Sequence, residues 1–173
     1  MTERWKPSVT VAAIAARPRA GAGSPLEYLL VEEQTPEGLR LNNPAGHLDP
    51  GESPLEAVVR ETLEETSRAF VPAHLLGVYL SRFERPATGD DVTYLRLAFS
   101  GTVGAPDRSR PLDAGIVRTL WLTIDELRAA RERHRSALVL RCIEDAAAGC
   151  ALPLDRVVTD PSVYAPEIKG VAS

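Results

Sequence analysis

The alternation of hydrophobic and polar positions along this chain changes period several times, and each change marks an element. Val9-Thr-Val-Ala-Ala-Ile-Ala-Ala16 is a β-branched and small apolar run closed by charged Arg17, the pattern of a buried first strand. Arg17 to Pro25, rich in Gly and Pro, reads as a loop into a second strand, Glu27–Glu33. Leu39–Asn42 is strand-like and runs into a turn at Asn43-Pro44-Ala45-Gly46. The period then becomes helical over Pro54–Thr66, with Ser53 as N-cap, Pro54 in the first position and Glu56 closing an S-x-x-E capping box. Leu75–Glu84, Val92–Val103 and Ile116–Leu122 return to strand patterning, with Arg85–Asp91 as the turn between the first two. A second capping box, Thr123-Ile124-Asp125-Glu126, opens a short helix to about Glu132. Ser136 is expected to cap a third helix through Ala148, stopped by Gly149 and Pro153. The tail, Leu154–Ser173, is expected to wrap the surface. Hairpin-style strands on either side of a central helix predict a mixed α/β fold.

Composition narrows the function without naming it. At 173 residues and 44% hydrophobic, the chain is expected to form one domain with a packed core, residues 1–173, with no repeat and no dividing linker. A net charge of -4 and 5% aromatic residues argue against a nucleic-acid polymer as partner. The longest apolar run is too short to cross a membrane, and its faint likeness to a signal peptide after Arg4 and Lys6 is weaker than its strand pattern. Cys142 and Cys150 lie too far apart on a helix for a disulfide, and no CxxC or paired His completes a zinc site. The expectation is free thiols in a reducing cytoplasm, in a monomer or homodimer.

The candidate chemistry sits on the central helix. On a wheel, Leu55, Val58, Val59, Thr62, Leu63 and Thr66 form a face that docks on a sheet. Glu61, Glu64 and Glu65 crowd into an arc of about 100° on the other side, away from the core. Like charges at these spacings destabilise a bare helix, so the helix itself does not call for them. Carboxylates on a rigid helix beside a Gly-turn carbonyl suit a hard divalent cation such as Mg²⁺, which completes its shell with water and phosphate oxygens. The wheel alone equally allows a solvated acidic face with an Arg60–Glu64 pair.

The spacing is more specific than the wheel. Gly46, five residues, Glu52, seven residues, then Arg60-Glu61-x-x-Glu64-Glu65 resembles the Nudix box, here spanning residues 46–68. Pro44-Ala45-Gly46-His47-Leu48 resembles the family's entry into that box, and Leu120-Trp121-Leu122 before a capped helix resembles its closing strand. The resemblance implies a Nudix fold, an αβα sandwich around a mixed sheet, and Mg²⁺-dependent (in some members Mn²⁺-dependent) hydrolysis of a phosphoanhydride in a small phosphorylated metabolite or nucleotide. It implies Glu61, Glu64 and Glu65 as metal ligands, with the main-chain carbonyl of Ala45 beside them and Glu52 at the loop–helix junction, offering a further metal contact. Glu61 is the first choice for the base, Glu64 a further catalytic acid, and Arg60 would orient a catalytic glutamate. One more acid is expected from outside the box, with Glu84, Asp90, Asp91 and Asp113 as candidates. Substrate contacts are expected from His47 and Arg40, and Arg82, Arg85 and Arg96 are further phosphate partners by residue type, although Arg outnumbers Lys eighteen to two.

The N-terminal Trp5–Val11 and Val31-Glu32-Glu33 resemble a phosphatase branch of the family, which implies nucleoside tri- and diphosphates and the thiamin-pathway pyrimidine pyrophosphate as substrates, with orthophosphate release. The alternatives are a nucleotide-sugar, dinucleotide or oxidised-nucleotide pyrophosphatase, and a silent ligand-binding sensor domain, which would be expected to have lost box acids. Three positions depart from the box. Ser67 stands where Gly closes it, Arg68 where an apolar residue follows, and Thr62 where an aliphatic residue is usual. Ser67 is expected to cost about 1 kcal/mol in a left-handed turn, or to force another turn. Trp121 is expected in the core, and His74 and His134 on the surface.

Overall fold

The computed structural model of the chain describes residues 5–21, 23–84 and 89–165. Its order is β1 (Ser8–Pro18), β2 (Leu26–Thr35), β3 (Gly38–Asn42), β4 (Ala45–His47), α1 (Pro54–Thr66), β5 (Phe70–Glu84), β6 (Asp91–Val103), β7 (Ile116–Thr123), α2 (Ile124–Ala129) and α3 (Leu138–Ala147), with short 3-10 turns after α2 and in the tail. The strands form one mixed sheet, ordered β3-β2-β1-β6-β5, with β4 paired to β1 and β7 to β2. The first part of β1 runs parallel to β6, from Ser8 opposite Tyr94 to Ala15 opposite Gly101. Its end, Ala16–Pro18, turns to pair antiparallel with Tyr28–Leu26 of β2. Arg17 therefore does not end the strand: it continues pairing and meets Glu27 at 2.6 Å.

Period-two alternation along β1 divides the core. Val11, Ala13 and Ala15 pack with Leu29, Phe99 and the α1 residues Ala57 and Val58 on one face. Ala12 and Ile14 pack with Tyr28, Leu30, Leu127 of α2 and Val139, Leu140 and Ile143 of α3 on the other. Helices on both faces of a mixed sheet make the expected α/β sandwich.

Several boundaries differ from the sequence reading. Ala45–His47 is a strand rather than part of a turn, because its backbone pairs with Thr10–Ala12 of β1. β5 begins at Phe70, five residues early, and carries irregular register at Pro72/His74, where the Pro cannot donate to the ladder, and again at Leu75/Gly77. α3 begins at Leu138 behind Ala137, with no side-chain cap, so Ser136 is not the cap. Ser53 and Thr123 do form both halves of their capping boxes. In the tail, Leu154 and Val157 pack on the α1-side core, and the Tyr164 hydroxyl donates to Glu56 at 2.9 Å. Pro166 and the residues after it lie outside the described residues, as does Arg85. No helix among the described residues is long and apolar enough to cross a membrane.

Candidate active site

α1 presents its acids to β4 rather than to open solvent. Its fully buried stripe is Ala57, Val58, Thr62, Glu65 and Thr66, while Leu55, Val59 and Leu63 are half-buried and line an outer groove with Pro72 and Arg110. The wheel's two faces are thus rotated toward the acids. Glu65 does not face away from the core: it is 7% exposed, and its Oε2 accepts the Ala45 N–H at 2.8 Å. That bond ties the end of the helix to β4. Gly46 sits against Glu61, and a Cβ built there would lie 2.0 Å from the Glu61 carboxyl carbon. The first box glycine is required for space, since only a bare Cα lets this carboxylate lie against the strand.

Arg60 holds the remaining acids. Its Nε and Nη2 form a two-point pair with Glu52 at 3.0 and 2.7 Å, and its Nη1 reaches Glu61 at 2.8 Å and Glu64 at 3.0 Å. Nη2 also donates to the His47 carbonyl at 3.0 Å and lies 3.6 Å from Asp49. The Glu52 hydrogen bond is the largest reason the Arg60 guanidinium is held even more firmly charged than usual, and the same bond holds Glu52 below the usual carboxylate range. Burial raises the proton affinity of Glu61 against the pull of Arg60. It pushes Glu65 up to about 8, with the charges of Glu61, Glu33 and Asp113 adding to the effect. An anionic, all-oxygen set with more carboxylate than cation around it fits a hard divalent ion. Among the described residues no three acids already converge as a coordination shell, because Arg60 stands between Glu52, Glu61 and Glu64.

The three departures from the box have local explanations. Ser67 adopts the left-handed conformation at φ 54°, and its Oγ donates to the Arg110 carbonyl at 3.1 Å. Arg68 extends over the Trp121 ring, 5.8 Å from its centroid, and donates to the Gly104 carbonyl at 2.8 Å; Arg17 covers the same ring at 4.0 Å. Trp121 is accordingly half-buried against the core, as expected. Thr62 is completely buried, with its hydroxyl bonded to the Val58 carbonyl at 2.7 Å.

Of the four acids proposed outside the box, Asp113 lies beside it, its N–H donating to the Glu64 carbonyl at 3.0 Å. Glu84 and Asp91 end the β5–β6 pair, where Asp91 is clamped by Arg82 at 2.7 and 2.5 Å, and Asp90 immediately precedes β6. His47 lies on β4, its ring 6.0 Å from Tyr94. Arg40 turns back to its neighbour Leu39 at 3.2 Å. His74 is exposed, but His134 is half-buried with Nε2 lacking a hydrogen-bond partner among the described residues, because its backbone bridges to Leu41.

Residues 6–141 match the NUDIX domain model. The chain belongs to the Nudix family. It is 47% identical, at a TM-score of 0.76, to a NUDIX hydrolase structure from Nitrosomonas europaea, over 90% of this chain and 98% of that one. It is 29% identical to Phosphatase NudJ of Escherichia coli K12 over 153 residues, 88% of this chain and 92% of the relative. The NUDIX domain of Shewanella oneidensis NrtR, solved with ADP ribose, shares the fold at 17% identity and a TM-score of 0.63, over 84% of this chain and 90% of that one. The chain is a Nudix hydrolase acting on pyrophosphate bonds, from a family that binds small phosphorylated substrates and typically depends on a divalent metal.

In this Nudix hydrolase, a second concavity opens on the other side of β4. It is lined by Ala45, Gly46 and His47 at one wall, and by Thr10, Glu33, Asn42, Phe83, Tyr94, Arg96 and Arg135 beyond. Apart from His47 and Arg96, sequence reasoning passed over these polar and aromatic residues. They come from β1, β2, β3, β5, β6 and the segment before α3, and no spacing along the chain joins them.

Proposed function

We propose that this Nudix hydrolase releases orthophosphate from small phosphorylated metabolites, with nucleoside tri- and diphosphates and the thiamin-pathway pyrimidine pyrophosphate as the leading substrates. In this reading the whole chain, residues 1–173, acts as one Nudix domain. The observation that carries the site assignment is the gathering of Glu52, Glu61 and Glu64 around Arg60, with Glu65 buried against the Ala45 N–H. The substrate range rests on the similarity to Phosphatase NudJ along 88% of the chain.

Glu61, Glu64, Glu65 and the Ala45 carbonyl would hold Mg²⁺ or Mn²⁺, with Glu52 adding a contact at the loop–helix junction. The ion, when bound, neutralises charge on the phosphate chain and lowers the pKa of a bound water. Arg60 fixes Glu61 through Oε1, which leaves Oε2 to take the proton of the attacking water. The water oxygen bonds to the terminal phosphorus, the bridging P–O bond breaks with its electron pair kept by the oxygen of the departing shortened ester, and the attacked phosphorus becomes orthophosphate. Burial of Glu61 suits it to this task, since a base of raised proton affinity accepts a proton more readily. Asp113, whose charge reaches Glu65, is the acid recruited from outside the box.

The test is product analysis with Mg²⁺, with and without EDTA, across nucleoside tri- and diphosphates, an aminopyrimidine pyrophosphate, nucleotide sugars and dinucleotides. Orthophosphate from the first two groups, abolished by EDTA, is the expected result. Turnover confined to nucleotide sugars or dinucleotides, or pyrophosphate as the product, would overturn the substrate assignment.

A further inference from the structure

The loop between β6 and β7 is fixed by residues that the box pattern does not call for. Residues 104–115 are exposed apart from half-buried Leu112, and they form no strand or helix. A loop of this length with so few apolar contacts is placed by its hydrogen bonds. They tie it to the end of α1. The Gly104 N–H donates to the Ala69 carbonyl at 3.0 Å, the Asp107 N–H to the Ser67 carbonyl at 2.7 Å, and the Asp113 N–H to the Glu64 carbonyl at 3.0 Å. Two side chains add to these main-chain bonds. Ser67 Oγ donates to the Arg110 carbonyl at 3.1 Å, and Arg68 Nη1 to the Gly104 carbonyl at 2.8 Å. Ser67 and Arg68 are the two positions at the closing end of the box where this chain departs from Gly and an apolar residue. Neither departure is favoured locally: Ser67 takes a positive φ of 54°, and Arg68 Nε is buried with no hydrogen-bond partner among the described residues.

What the loop carries gives these two residues a task. The bond from the Asp113 N–H to Glu64 brings Asp113 to the helix end beside the box acids, and its charge reaches buried Glu65. Asp113 Oδ1 accepts the Ala114 N–H at 2.9 Å, which sets the rotation of the carboxylate and leaves Oδ2 for a ligand. We propose that Ser67 and Arg68 form a latch: they are positioning residues for the hydrolysis, holding the 104–115 loop so that Asp113 stands at the box acids before a cation arrives. The proposal rests on the reading that the box acids and Asp113 hold that ion. The latch acts through pre-organisation, since a loop already ordered has no ordering cost left when cation and phosphates bind. Each hydrogen bond of this kind shifts a local opening equilibrium by roughly 2- to 12-fold, so the two together shift it by about 5- to 150-fold. Arg17 already covers the Trp121 ring at 4.0 Å, closer than Arg68 at 5.8 Å, so covering that ring does not require Arg68.

The experiment restores the box pattern in the full chain with Ser67→Gly combined with Arg68→Met. Glycine relieves the positive φ and methionine removes the unmatched Nε, so the latch is lost without strain being added. Hydrogen exchange in EDTA, read residue by residue by NMR, should show the Asp107 and Asp113 amides exchanging about 5- to 150-fold faster than in the parent, with the Ala45 amide unchanged. Mn²⁺ titration followed by electron paramagnetic resonance should give binding roughly tenfold weaker, as for outer residues that orient a metal site. Asp113→Asn should weaken Mn²⁺ at least as much, and adding the two box substitutions to it should weaken binding by less than about twofold further. Unchanged exchange at Asp107 and Asp113, or unchanged Mn²⁺ affinity in the double variant while Asp113→Asn weakens it, would overturn the latch and leave the metal reading standing. Asp113→Asn that binds Mn²⁺ like the parent would overturn the placement of Asp113 and the latch with it. If the double variant does not fold, Ser67→Gly alone decides the matter by the same exchange measurement, where the expected acceleration at Asp107 and Asp113 is about 2- to 12-fold and none would overturn the latch.

Discussion

Gly46→Ala isolates what the first box glycine does. Gly46 is not among the positive-φ residues, so alanine suits its backbone and the effect of the substitution is one of space. The new Cβ would fall 2.0 Å from the Glu61 carboxyl carbon and 2.1 Å from both oxygens, against an ordinary contact of 3.4 Å or more. Either Glu61 retreats by more than 1 Å or β4 separates from Val11 of β1, where Gly46 is paired. Overpacking of this kind costs about 1–3 kcal/mol, and a reacting group misplaced by 1 Å loses on the order of 100-fold in rate. The expected result is a stability loss in that range by chemical denaturation, together with a fall of roughly two orders of magnitude in kcat for phosphate release. Glu61→Asp on top of Gly46→Ala shortens the acid by one methylene and should recover most of the stability without recovering the rate, a non-additive cycle. Near-wild-type kcat in Gly46→Ala would refute the placement of Glu61 as the group in contact with the reaction.

Glu64→Gln should remove most turnover at unchanged melting temperature, because its side chain is more than one-third exposed; Glu65→Gln should also remove turnover, and the Ala45 N–H should keep its acceptor. Arg60→Gln cuts the link between Glu52, Glu61 and Glu64 and should lower stability by about 1–3 kcal/mol, read by denaturation in EDTA. Ser67→Ala should destabilise by about 1 kcal/mol more than Ser67→Gly, since both lose the bond to Arg110 and only glycine relieves the positive φ. Thiol labelling at pH 8 should modify exposed Cys150 and leave Cys142, buried and pushed up to about 11, unreacted until the protein unfolds. Burial lowers the His134 pKa from 6.5, so below that pH the unfolded chain binds the extra proton and stability falls as pH drops; His134→Gln should flatten this slope in denaturation curves measured as the pH falls below 6.5.

What the sequence made legible follows from the range of the interactions involved. Capping at Ser53 and Thr123 depends on residues three apart, so it was readable directly. The box was readable because Gly46, Glu52, Arg60 and the three glutamates meet through one loop and one helix. Strand β4 was not, because Ala45–His47 owe their extended form to a partner more than thirty residues away in β1. The burial of Glu65 escaped the wheel for the same reason: a helical period gives relative angles, and only the position of β4 decides which side is inside. Ser67 shows the intermediate case. The strain was predictable from one residue, while the bond to Arg110 that offsets it crosses forty-three residues.

These observations give β4 a role larger than its three residues. Its Ala45 N–H fixes Glu65, its Gly46 admits Glu61, and its His47 carbonyl accepts Arg60, so each of the three residues anchors one part of the acid array. The same three residues form a wall of the cavity containing Arg96 and Glu33. The strand therefore links the acid array on one side to this cavity on the other. Much of the acid excess seen in composition also acquires a location, since Glu52, Glu61, Glu64 and Glu65 lie together with Arg60 as the cation that bonds three of them directly. Acids concentrated in this way favour a cation-bridged polyphosphate over any extended polyanion.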